Sequence, residues 1–130
     1  MPVNGAGGRA PDIGWLALNP LECEDYRKIG CLEAEVGAAG IVRRLVLRIK
    51  SGDESSLEHS EGGLDGISLD HVLRAARSSD GVALSVIRDT ARYLGMAAGN
   101  LVAVADPEGL VLGGSCRRPP ICCLSRSAPS

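Results

Sequence analysis

"RKIGCLEAEVG", residues 27–37, is the stretch on which the reading of this chain turns. Cys31 sits between Gly30 and Leu32, and the carboxylate of Glu33 follows two residues later. From Cys31 onward, Leu32, Val36, Ala39, Val42 and Leu45 recur at spacings of three and four. That period predicts a helix with one apolar face turned to a core. Gly37 and Gly40 weaken it by about 1 kcal/mol each against Ala. Close packing against a neighbour would explain them.

Outward from this stretch, the two sides differ. Upstream, "DIGWLALNP" alternates Ile13, Trp15 and Ala17, a pattern that predicts a short strand ending at Asn19-Pro20. "LECEDYRKIG" is charged and aperiodic and reads as a loop, as do the Gly- and Ala-rich residues 1–11. Downstream, residues 51–67 are acidic and rich in Ser and Gly, which predicts a solvated, mobile connector. Ser68 is a candidate N-cap for a helix over "LDHVLRAAR", with Leu69, Val72, Leu73 and Ala76 on its inner face. A longer helix is predicted from about Val82 to Ala103. Its stripe is Val82, Val86, Thr90, Leu94, Ala97 and Leu101, and Gly95 and Gly99 are spaced to admit another backbone. "ADPEG" is a turn. "LVLGG" follows as an apolar strand of the type buried in parallel sheets, ending at Gly113-Gly114. The tail from residue 116, with Pro-Pro and three cysteines, has no period and reads as disordered.

Bulk properties narrow the class. The 130 residues suffice for one domain, and the formal charge of −2 supplies no field for nucleic acid. No apolar run approaches the roughly 20 residues of a membrane span, and "MPVNGAGGRAP" lacks the features of a secretory signal. The expectation is a soluble cytoplasmic protein. With one Trp, two Tyr and no Phe, its core must be aliphatic. Five cysteines, an odd number, argue against a disulfide framework.

The chemistry-bearing residues each have a plain alternative. Cys31 is either a small buried residue or a metal ligand. A zinc site usually takes four ligands, and Cys23 is the only nearby thiol, with Glu24 and Asp25 as oxygen donors. Glu33 either favours a helix start through the dipole or accepts hydrogen bonds from sugar hydroxyls. Trp15 is a core residue, an anchor or a sugar-stacking ring. His59 and His71 read as solvated side chains. No phosphate-binding G-x-x-x-x-G-K-[ST] loop, G-x-S-x-G elbow or H-E-x-x-H is present.

Three blocks share a resemblance, in order, over residues 4–115. "GAGGRAPDIGW" resembles the lead into the E-x-G-H segment of the ROK family of sugar kinases and sugar-responsive repressors. "CEDYRKIGCLE" resembles that family's C-x-C-G-x-x-G-C-x-E zinc loop. "IRDTARYLGMAAGNLVAVADPEGLVLGG" resembles its long helix, D-P-E turn and Gly-Gly-tipped strand. The resemblance implies an α/β fold, part of an actin-like (ribonuclease-H-like) ATPase lobe with helices packed on a small sheet. It implies that Glu33 is the sugar-binding Glu, that Asp12 stands at the Glu of E-x-G-H, and that Gly113 and Gly114 lie beside a nucleotide's adenine. It also implies that Cys31 is the last zinc Cys.

The departures carry as much information. Trp15 replaces the family's His, and an indole N–H is a donor that cannot ligate metal. Glu24 and Tyr26 stand at the two earlier Cys positions, Cys23 is displaced by one residue, and Arg27 replaces a Gly. The zinc site is therefore degraded to Cys23 and Cys31, and less than one zinc per chain is expected. The D-x-G-G-T phosphate loop and catalytic Asp of the kinases do not occur, so ATP belongs only to an intact kinase. "EAEVG", residues 33–37, resembles the regulators more than the kinases. The expectation is the sugar-sensing lobe of a transcriptional regulator that binds a small sugar, does not itself contact DNA or membrane, and is open to homodimerisation. The rivals are a fragment of a sugar kinase and an inactive remnant.

Overall fold

Helices build this molecule. A computed structural model describes residues 5–8, 12–21 and 23–113. A 3-10 turn, Ile13–Trp15, is followed by α1 (Glu24–Ile29), α2 (Cys31–Val36), α3 (Ala38–Lys50), a second 3-10 turn (Leu64–Gly66), α4 (Leu69–Arg77) and α5 (Gly81–Ala105). Among the described residues there is no sheet, so the expected layer of helices on strands is not seen. None of the helices is long and apolar enough to cross a membrane. One compact unit extends to Ala97, and a second begins at Ala98.

The core of the first unit is aliphatic. Leu45, Val72 and Val86 are its largest fully buried side chains, joined by Ile41, Ile49, Ile67 and Val82. Burying each such side chain is worth roughly 1.5–3 kcal/mol. The inner line of α3 is Ile41–Leu45–Ile49: Leu45 of the predicted stripe is fully buried, Ile41 takes the inner place expected of Val42, which is only partly buried, and Ala39 is exposed. The reason is a break. Gly37 adopts ψ 155 and ends α2, so the expected single helix becomes two with separate faces.

Three further expectations are corrected. Ile13–Trp15 is not a strand: Asp12 Oδ1 accepts the Gly14 N–H at 3.1 Å and closes a 3-10 turn. Two alternating apolar residues without a pairing partner do not hold an extended chain. "EDYRKI" is a helix rather than a loop, with Glu24 and Asp25 in its first turn and Arg27 and Lys28 in its last, as the helix dipole favours. Leu110–Gly113 is irregular, with Val111 and Leu112 exposed. A strand exists by pairing, and no described segment pairs with it. Gly114 and the tail from residue 116 lie outside the described residues.

The acidic segment 51–67 is tied down by Asp80. One carboxylate oxygen accepts from Ser55 Oγ (3.0 Å), Ser56 N (2.7 Å) and Ser56 Oγ (2.8 Å), while the other caps α5 at Ala83 N (2.9 Å). Leu57 and Leu64 pack on the core beside buried Ile67. Burial opposes ionisation of Asp80, but these four hydrogen bonds outweigh it and hold the carboxyl below its usual range. A depressed pKa stabilises the fold above the ordinary carboxylate value, and that contribution disappears as pH falls through the depressed one. Asp80→Ala should cost about 1–2 kcal/mol at pH 7. Urea melts at pH 7 and pH 3 should show the gap between wild type and variant closing in acid.

Candidate functional site

Gly30 brings the two halves of the site together. Its φ of 92° lies where L-residues are strained, and a Cβ there would fall 2.3 Å from Gly14 O and 2.9 Å from Trp15 Cα. Only a glycine lets the start of α2 press against the Gly14–Trp15 peptide. Asp12, Trp15 and Glu33, separated by up to 21 positions, are thereby carried by two touching elements. A Cβ on Gly14 would meet Asp12 Oδ1 at 3.2 Å and Glu33 Cβ at 3.4 Å, with Glu33 Oε2 at 3.9 Å. On the other side, a Cβ on Gly37 would meet Glu33 Oε1 at 2.9 Å. The Glu33 carboxylate thus lies between two bare glycines.

Glu33 is exposed, and no hydrogen bond or ion pair engages its carboxylate among the described residues. Asp12 is exposed at the same Gly14 neighbourhood, and Trp15, 54% exposed, is carried on the same turn. An ionised carboxylate offers about four lone-pair positions and no donors, which suits it to hydroxyl groups.

The thiols are arranged differently. Cys31 is buried, and its Sγ accepts the Leu18 N–H at 3.4 Å. Cys23 is half-buried at the N-cap of α1. No cluster of three or more His, Cys, Asp or Glu side chains placed to hold a metal occurs among the described residues. Gly113 is exposed in the second unit, and Gly114 is outside the described residues. His59 is exposed, whereas His71 completes a capping box with Ser68.

Sequence reasoning missed a polar network behind α2. Glu35, only 6% exposed, accepts a 2.5 Å hydrogen bond from the Tyr26 hydroxyl, which in turn accepts from Asn19 Nδ2 at 3.2 Å. Arg44 donates to the Glu35 carbonyl at 2.7 Å and to Thr90 Oγ1 at 2.5 Å, and its guanidinium lies 5.8 Å from the centre of the Tyr93 ring. The Thr90 hydroxyl in turn donates a hydrogen bond to Val86 O at 2.9 Å. Arg43 pairs with Asp25 at 3.4 Å, which ties α1 to α3. Burial, followed by the hydrogen bond to Glu35, raises the Tyr26 phenol well above its ordinary value. Burial and then the Glu35 charge also raise Tyr93, against the pull of Arg44. Both phenols stay protonated, so Tyr26 remains a donor. The local signal was thin. Thr90 lay in the predicted apolar stripe, but nothing near Glu35 announces that it is buried.

The site is thus a glycine-framed carboxylate on a helix start, backed by a polar network, in a helical module. The ROK family profile matches residues 1–120, and the chain belongs to the ROK family. It is 35% identical over 117 residues to a glucokinase of Halalkalibacterium halodurans, a match covering 86% of this chain and 34% of that enzyme. It also superposes on the crystal structure of a ROK family transcriptional regulator, a homolog of the E. coli MLC protein. That match has a TM-score of 0.67 and 30% identity, and it covers 78% of this chain and 25% of that one. The chain therefore spans about a third of the glucokinase and a quarter of the regulator.

Proposed function

We propose that this chain is the sugar-sensing part of a ROK family transcriptional regulator and is not catalytic by itself. In this reading its helices are one side of an actin-like, ribonuclease-H-like α/β lobe, and the DNA-binding domain lies outside the region it spans. The observation that carries the reading is the Glu33 carboxylate, accessible between Gly14 and Gly37 and free of protein partners among the described residues. Asp12 lies near it as a second acceptor, and the turn that packs on α2 carries exposed Trp15, an apolar face with an indole N–H donor. The "EAEVG" segment and the match to a solved regulator support the same assignment.

Calorimetry with glucose and N-acetylglucosamine tests it. Glu33→Gln keeps the shape but removes the charge, and loss of a hydrogen bond to a charged group should weaken binding by about 10- to 100-fold. Unchanged affinity would retire Glu33 as a sugar contact. The glucokinase likeness favours a second reading, a fragment of an ATP-dependent hexose kinase. The sequence upstream of this region separates the two: a helix-turn-helix favours the regulator, and a phosphate loop with a catalytic Asp favours the kinase. Under either, a coupled assay on this chain should give no ATP-dependent turnover above blank, and measurable turnover would overturn the non-catalytic reading.

A further inference from the structure

The loop from Cys23 to Cys31 matches a family segment that would hold zinc, and the residues present do not fit the metal. Cys31 is buried with its Sγ accepting from the Leu18 N–H, and Cys23 stands at the N-cap of α1. Of the two intervening ligand positions, Glu24 is exposed and paired with Lys28 at 2.7 Å. Tyr26 presents a protonated phenol, a poor ligand. Trp15 offers no lone pair. Four donors do not converge on one point, as a structural zinc site requires.

The same loop is nevertheless held at several points. The Tyr26 phenol reaches from α1 to Glu35 on α2 and to Asn19 in the preceding segment. Arg44 of α3 binds the Glu35 carbonyl and Thr90 of α5, and its Nε lies 3.4 Å from Glu35 Oε2. Asp25 adds a tie from α1 to Arg43. These contacts link α1, α2, α3 and α5, and Tyr26 occupies the position where a metal-binding Cys would stand.

We infer that this chain has exchanged a zinc tether for the Asn19–Tyr26–Glu35–Arg44–Thr90 relay, and that it folds without metal in this loop. The relay works by a different physical route. A metal site draws on ligand bonds formed only in the folded state, and a chelator removes them. A buried carboxylate paired with a guanidinium and a phenol resists chelators but fails when one partner is deleted, because the remaining charge is stranded.

The test uses the full chain, expressed with added zinc sulfate and dialysed, with zinc measured by elemental analysis and melting followed with and without EDTA. The expected result is no zinc dependent on Cys31 and a melting temperature that EDTA does not move. Tyr26→Phe should lower the melting temperature by about 5–10 °C, and Glu35→Gln by about 10–20 °C. Tyr26→Phe keeps the ring, so it remains measurable should Glu35→Gln fail to fold. Tightly held zinc that is lost in Cys31→Ala overturns the inference, and so does a Tyr26→Phe protein that melts with the wild type. Zinc lost in Cys23→Ala overturns it as well, and zinc that survives both substitutions is held outside this loop and leaves the inference supported.

Discussion

Gly30→Ala is expected to destabilise the chain by about 3–5 kcal/mol, enough to unfold much of a marginal domain. Two costs add. The backbone at φ 92°, ψ 151° is a region that a side chain enters only at about 1–3 kcal/mol. The new methyl would also fall 2.3 Å from Gly14 O and 2.7 Å from Gly14 C, both backbone atoms that cannot rotate away. Relief requires the Ile13–Trp15 turn to lift off α2, which separates Asp12 and Trp15 from Glu33. Gly52→Ala supplies the control. Its φ of 103° is also strained, but nothing lies within 4 Å of its Cβ, so it carries the conformational cost alone. Urea melts should place Gly30→Ala well below Gly52→Ala. Equal midpoints would mean that the packing of the turn on α2 contributes nothing. On the function proposed above, calorimetry on any folded fraction should find sugar binding lost together with stability.

Gly40→Ala should be the second most damaging small change, at about 2–4 kcal/mol. Gly40 lies in the first turn of α3, where the chain doubles back on α2. A Cβ there would sit 1.9 Å from Ala34 O and 2.8 Å from Ala34 C. Alanine gains about 1 kcal/mol of helix propensity, but a fixed carbonyl outweighs that gain. The helices must separate, and α2 carries both Glu33 and Glu35. Gly95→Ala in α5 is the natural comparison, since nothing lies within 4 Å of its Cβ. It should keep the propensity gain and melt slightly above wild type. Gly40→Ala melting with Gly95→Ala would show that the α2–α3 contact is loose.

These glycines show how unevenly the site could be read. Gly37 and Gly40 stood out as unexplained interruptions of a helical period, and both are close-approach positions beside Glu33 and Ala34. Gly95 and Gly99 have the same four-residue spacing and meet nothing among the described residues. Spacing states that a backbone can approach; only a neighbour decides whether one does. Glu33 was legible as a candidate from its place after Gly30-Cys31, and the structure sets Asp12 and Trp15 on the turn that packs against its helix. Glu35, two positions on, was not. Its burial depends on Tyr26, Arg44 and Thr90, and the farthest of these is 55 residues away along the chain.

By itself the sequence determined what local physics can enforce. Ser68 caps α4, and the period of α5 carried its bounds to within two residues of Gly81–Ala105. A composition with one Trp and no Phe required an aliphatic core. Tertiary structure decided the rest. It folded a six-residue segment with four charges into α1 through Tyr26 and Asp25, made a 3-10 turn of an apparent strand, broke one helical period at Gly37, and left Leu110–Gly113 unpaired among the described residues. Helical period and capping act within a turn or two of chain. Strand pairing, glycine contacts and buried ion pairs draw their energy from partners distant in sequence, so no local pattern specifies them.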